Sequence, residues 1–316
     1  MRTSPLTRKP HPRDTLLMLS NIALKLTDAL NERTGRFPAN LARVLEKRRY
    51  ILPEMPAAET CICAETVTRW DELGSWSSFE WPRRIRGQLI GWRQDHHNYR
   101  SFSAHRAEYS EIASLDVTEE WLCDISKVHG FAASKSELKK FQSMDQMVET
   151  NSREMISEIS EAMLQANLAH DEIRLTHRNK SDYFMVTSWD ERLFLINAGG
   201  SHHFAAAKYI AKRLPQAVPL RGKLHRFRLN ERAISSLRGD YDMFLLSNEQ
   251  SAWHEFSEAL MSFRATWLWH EMPRPLKNTR AVLLPRSEQR SRCVARLLHE
   301  QGATDLGAHL AHIAQL

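Results

Sequence analysis

Leu193-Phe194-Leu195-Ile196-Asn197-Ala198-Gly199-Gly200-Ser201-His202-His203-Phe204-Ala205-Ala206-Ala207-Lys208-Tyr209-Ile210 decides the fold class. An apolar run of strand length meets two glycines and then an alanine-rich segment of helical character, so the chain turns here from strand into helix. The first turn of a helix leaves backbone N–H groups without partners and carries a partial positive charge, which suits phosphate or carboxylate. His202 and His203 add titratable donors to that turn.

Ile173–Leu175 and Tyr183–Thr187 read as strands before the turn. After it come a helix over Ser201–Leu214 and strands over Ala217–Leu220 and His225–Leu229. Strand alternating with helix predicts an α/β unit. Lys135 to Ala169 carries Leu138, Phe141, Met144, Met147, Val148, Met155, Ile156, Ile159 and Met163 at helical intervals, with Asn151-Ser152 as the point of a break. Short strands are expected around Ile62–Val67, Arg84–Trp92 and Tyr109–Leu115, among Trp70, Trp76, Trp81 and Trp92. Asp14 to Leu30 fits a helix with Asp14 or Thr15 near its N-cap, and Leu41 to Arg49 a short basic helix. Asn248–Trp269 reads as helical, and Ala281–Pro285 with Ser287–Glu300 as a strand followed by a capped helix. The expectation is a mixed α/β (α+β) protein in five parts. These are a basic helical arm (1–52), a mixed α/β region (53–134), a long helix or helical hairpin (135–171), a small α/β core (172–247) and a mainly helical C-terminal region (248–316).

The stretch from about 172 to 229 resembles the core of the ParB/sulfiredoxin-like superfamily. There a strand end bearing Asp or Asn leads into a Gly-x-His-Arg or Gly-x-x-Arg turn, an Ala-rich helix, and a strand preceded by Val-Pro or Ile-Pro. The matching elements here are Leu195-Ile196-Asn197, Gly200-Ser201-His202-His203, Ala205-Ala206-Ala207 and Val218-Pro219, about 60 of the 316 residues. The resemblance implies a ParB-like core that binds nucleotide or carries out phosphoryl chemistry at the turn. One position departs from it. The arginine of the family's turn is His203, which is charged at neutral pH only if its pKa is raised, whereas arginine is always charged and grips phosphate with two donors.

His202 is therefore the candidate for general acid/base work, and Gly199, Gly200, Ser201, His203, Lys208 and Arg226 are the candidate ligand-binding residues. Arg213, Arg221, Lys223 and Arg228 are further cations near the turn. The alternative is architectural, with one histidine capping the helix or packing on the sheet and the other facing solvent. Gly199-Gly200-Ser201-His202-His203 lacks the small last residue of a nucleophile elbow, so Ser201 reads as an N-cap. Asp95-His96-His97 with His105 holds metal-ligand types, but adjacent side chains do not chelate on a strand or a helix. No metal or cofactor is identified, and no P-loop or Gly-x-Gly-x-x-Gly pattern occurs.

Composition bounds the rest. The 42% hydrophobic and 26% charged residues describe a globular chain with no 18-residue apolar run, so no membrane partner is expected. Asp14, Asn21 and Lys25 interrupt the N-terminal segment that superficially looks like a secretion signal. Cys61, Cys63, Cys123 and Cys293 are too few and scattered for a disulfide framework and read as reduced thiols of a cytoplasmic protein. The net charge of +6 is unevenly spread: +7 over residues 1–50, −9 over 107–172 and +7 over 208–240. A basic surface of this kind attracts DNA, RNA or a nucleotide. The functional expectation is a phosphate-ligand binding protein with phosphoester hydrolase (nuclease or phosphohydrolase) activity at Gly199–His203. The alternative is a non-enzymatic protein that binds a protein partner or self-associates.

Overall fold

Ten strands, distributed over two sheets, organise the described chain. The structure is a computed structural model and describes residues 26–76, 85–175 and 181–315. The N-cap expected at Asp14 or Thr15, the interrupted apolar segment, Trp81 and Arg84 lie outside the described residues.

In chain order the first half runs α1 (26–34), α2 (Ala39–Lys47), β1 (Gln88–Asp95), β2 (Asn98–His105), α3 (Ala107–Ser110), β3 (Ala113–Asp124), β4 (Val128–Phe131), α4 (Met144–Asn151) and α5 (Glu161–Leu168). Then come β5 (Tyr183–Thr187), β6 (Leu193–Ile196), α6 (Ser201–Ala211), β7 (Pro219–Leu229), α7 (Glu231–Asp240) and β8 (Tyr241–Ser247). The chain closes with α8 (Gln250–Phe263), β9 (Trp267–Glu271), β10 (Thr279–Pro285), α9 (Gln289–Glu300) and α10 (Leu306–Ile313). This is a mixed α+β fold.

The first sheet has the order β3-β7-β5-β6-β4. Its pairings alternate: β3–β7 and β5–β6 are antiparallel, β7–β5 and β6–β4 parallel. Strand side chains alternate between faces. Phe184, Leu195, Leu220 and Leu224 therefore pack on one side with Phe204, Ala207 and Ile210 of α6 and with Met147 and Val148 of α4. Met185, Phe194 and Phe227 pack on the other with Ala64 and Val67.

The second sheet is antiparallel throughout, in the order β2-β1-β9-β10-β8. Phe244, Leu246, Val282 and Leu284 share a core with residues of α2, α8 and α9. Their neighbours Met243, Leu245, Ala281 and Leu283 join residues of α7 and α10. The sheet is thus the middle layer of three.

Several expectations change. The 135–169 segment is divided into 3₁₀ turns, α4 and α5, because Ser143 and Ser160 accept from the Gln146 and Met163 N–H groups and open a new helix each time. Ile62–Val67 and Ile173–Leu175 form no strand beyond a single bridge at Cys63. The two strands expected over 217–229 are one, β7. The helix expected to reach Trp269 stops at Phe263, and β9 follows. Strand β8 pairs with β10 in the second sheet, so the first sheet ends at Leu229 and not at residue 247. Instead of standing off as an arm, α2 buries Leu41 and Leu45 in the core beside α8. Its Lys47 and Arg48 face Glu255, and Arg49 bonds Gln301.

Candidate functional site

Strands β4 and β6 run parallel, so both leave the sheet at the same edge, outside the carboxyl ends where open α/β sheets commonly hold ligands. Asn197 ties the two exits together. Its Oδ1 accepts the Ala133 N–H at 3.2 Å, and its Nδ2 donates to the carbonyls of Ala133 at 3.0 Å and Gly199 at 2.7 Å. The strand end bearing this asparagine therefore sets the height of the glycine turn.

Gly200 is the N-cap of α6, in the left-handed conformation with φ of 70°, and brings no side chain to cap the helix; its own N–H donates to Glu172 Oε2 at 2.9 Å. The N-cap expected at Ser201 is corrected: Ser201 is the first helical residue, and its hydroxyl donates to Ser134 Oγ at 2.8 Å. The first intrahelical bond runs from the Phe204 N–H to the Gly200 carbonyl at 2.9 Å. The N–H groups of Ser201, His202 and His203 precede it, as the geometry of a helix end requires.

These residues line a cavity of about 570 Å³. Three further segments close it: Ala133–Ser136 after β4, Asn151, Ser152, Glu154 and Met155 at and after the end of α4, and His170 with Glu172 between α5 and β5. Gly199, Gly200, Ser201, His202 and His203 are all in the lining. Lys208 and Arg226 are not. Lys208 is 7% exposed, and its ammonium donates to the Val128 carbonyl. Arg226 stands on β7 across from Val186 and Asp116. Two of the sequence-derived ligand residues are thereby removed from the cavity, and the cation that takes their place is Lys135.

Both histidines are held. His202 Nε2 lies 3.0 Å from Ser136 Oγ, and its Nδ1 is bonded to Ser152 Oγ. Burial lowers its pKa, with the Lys135 charge acting the same way and Glu154 opposing. The ring is therefore neutral at physiological pH, the state in which it can accept a proton. His203 Nδ1 is 3.0 Å from Asn167 Oδ1, whose amide nitrogen is committed to the carbonyls of Met155 and Met163. The His203 ring N–H therefore donates to Asn167. His170 stacks on that ring, centroids 3.7 Å apart, and burial followed by this neighbour lowers the His203 pKa. Since His203 is neutral too, it does not supply the fixed positive charge of an arginine.

The remaining candidates lie elsewhere. His96, His97 and His105 belong to the β1–β2 hairpin, and Asp95 pairs there with Arg100. Among the described residues no three His, Cys, Asp or Glu side chains are grouped to hold a metal ion. All four cysteines are free thiols. No helix of the described residues is long and apolar enough to cross a membrane.

The basic and acidic blocks of the sequence meet each other. On β3 and β7, Glu119 faces Lys223, Glu120 faces Arg221 and Asp116 faces Arg228; Asp145 of α4 takes Lys212 and Arg213. Such exposed pairs add little stability, but they cancel much of the charge of 208–240.

The model of a family of unknown function, DUF6685, matches residues 118–316. That span begins within β3 and contains every residue lining the cavity. No curated protein and no solved structure matches the chain.

Proposed function

The chain belongs to the family of unknown function DUF6685, and we propose that its cavity binds a small phosphate ester of nucleotide size and hydrolyses it, with His202 as acid/base. The observation that carries the reading is the α6 terminus: the N–H groups of Ser201, His202 and His203 precede the first intrahelical bond, in a cavity also lined by Lys135, His170, His202 and His203, with the Gly200 N–H already held by Glu172. Helix ends of this kind favour anions by about 0.3–2 kcal/mol. The volume falls in the usual range of small-molecule sites. Glu154 and Glu172 share the lining and limit the negative charge that can enter, which favours a monophosphate ester over a polyphosphate. The β3–β7 ion pairs likewise favour a small ligand over DNA or RNA. The ParB-like resemblance supports the reading only through the glycine turn, because His203, in the place of the family's arginine, brings no fixed charge.

A second reading, a docking role for a protein partner, has its own observation. Strand β3 is the edge of the first sheet and leaves Leu115, Val117 and Leu122 exposed. Such edges are templates for pairing with another chain.

The experiment is a melting series with inorganic phosphate, nucleoside monophosphates and short DNA and RNA, at two salt concentrations, repeated on His202→Ala. A ligand at a hundredfold its Kd stabilises the native state by about 2.7 kcal/mol. A monophosphate shift that His202→Ala reduces upholds the reading. A shift with DNA or RNA alone, steeply weakened by salt, would replace it with nucleic-acid binding. No shift with any of them, together with a stable self-association, would replace it with the docking role.

A further inference from the structure

Ser136 sits on the same imidazole that the phosphoester reading uses. Its Oγ is 3.0 Å from His202 Nε2 and accepts from Asn151 Nδ2 at 2.7 Å. With one lone pair taken by the amide, the hydroxyl proton is free to point at Nε2. The ring then carries its own proton on Nδ1 and donates it to Ser152 Oγ. Both serines line the cavity but differ in exposure: Ser152 is 2% exposed, while Ser136 is only partly covered. An accessible hydroxyl on a base that a buried group orients is the arrangement of an activated nucleophile. Ser201 has no such partner, since its hydroxyl goes to Ser134.

We propose that Ser136 is the nucleophile of the reaction, that His202 is its base, and that Ser152 is a positioning residue for the ring. The proposal rests on the phosphoester reading and deepens it. Ser136 Oγ attacks phosphorus and passes its proton to His202 Nε2, while the bond from phosphorus to the alcohol oxygen breaks. His202 returns that proton to the departing alkoxide, and the product alcohol leaves a phosphoserine behind. Water then gives a proton to Nε2 and attacks the phosphoserine, releasing inorganic phosphate. The proton returns to Ser136 Oγ. The N–H groups of Ser201, His202 and His203 stabilise the non-bridging oxygens in both steps.

The test is labelling of the full chain with diisopropyl fluorophosphate, in which the same attack forms a serine–phosphorus bond and expels fluoride. The adduct is located by mass spectrometry, with near-UV circular dichroism as the check that each variant is folded. The expected result is one adduct, on Ser136, slowed by inorganic phosphate and absent in Ser136→Ala. Labelling falls at least tenfold in His202→Gln, in keeping with the ~100- to 10,000-fold usual for general bases, and by a smaller factor in Ser152→Ala. If His202→Gln does not fold, the pH profile of wild-type labelling decides. The rate must rise on deprotonation of a group below the ordinary histidine value of 6.5, because burial and then the Lys135 charge lower the His202 pKa, with Glu154 opposing. A rate independent of pH there overturns the proposal. A phosphate-dependent melting shift without labelling of Ser136 overturns the nucleophile alone and leaves the binding reading standing. Labelling of Ser136 that phosphate neither slows nor accompanies with a melting shift overturns the phosphoester as substrate.

Discussion

Glu172 Oε2 accepts a hydrogen bond from the Gly200 N–H at 2.9 Å, so one of the chain's own carboxylates already rests against the turn that opens α6. An incoming phosphate meets that charge. Replacing Glu172 with Gln keeps an oxygen acceptor for Gly200 and removes the repulsion. Phosphate should bind Glu172→Gln about three- to tenfold more tightly, a gain of roughly 1 kcal/mol. The protein itself should lose about 1 kcal/mol, because a neutral acceptor bonds less strongly than a charged one. Calorimetric titration and urea unfolding read the two numbers.

Gly200 is required by its conformation and by its neighbours. At φ of 70° a side chain is strained, and a Cβ there would meet Ile173 Cγ1 at 2.9 Å and the Glu172 carbonyl carbon at 3.0 Å. Gly200→Ala should cost about 2–4 kcal/mol, the sum of left-handed strain and overpacking. Chemical denaturation measures it.

Asn197 is 7% exposed and uses its amide as donor to two carbonyls and its oxygen as acceptor of an N–H. Asp has no donor for those carbonyls. Asn197→Asp should therefore destabilise by roughly 3 kcal/mol or more and weaken phosphate binding, because Gly199 loses its anchor. Urea unfolding with calorimetry checks both.

Lys208 provides the contrast. Burial pushes its ammonium down from 10.5 to about 8. A depressed folded-state pKa means that the unfolded chain binds more protons between those values, so the cost of burying the charge is fully present below pH 8 and fades as pH approaches 10.5. Lys208→Met should be at least as stable as the parent at pH 7. That advantage should shrink by at most about 3 kcal/mol between pH 8 and 10.5, as denaturation curves at the two pH values would read. Phosphate affinity should stay within twofold, since Lys208 does not line the cavity.

What was legible in the sequence was local. Leu193–Ile196, the glycines and the alanine-rich helix follow one another in the chain, and period and punctuation suffice to read them. The rest of the cavity is not local. Ser134–Ser136 arrive because β4 lies parallel to β6, and Asn151, Ser152 and Glu172 arrive because α4 and α5 pack on α6. Short polar residues in turns carry no spacing signal of that. Lys208 misled because seven residues of helix bring a side chain back to the face of Ser201, two turns deeper, where it meets the Val128 carbonyl. The end of α8 was hidden for another reason. Arg264 takes the left-handed position at φ 55°, so no glycine marks the stop before β9.

Phosphate binding at the α6 terminus is read by titrating inorganic phosphate into the ¹⁵N-labelled full chain and following its amide resonances. Saturable shifts concentrated at Ser201, His202 and His203, with smaller ones at Ser134–Ser136, are expected. Shifts confined to a different basic surface, such as that around Arg43, Arg264 and Arg290, or no saturable shift at all, would contradict binding at that terminus.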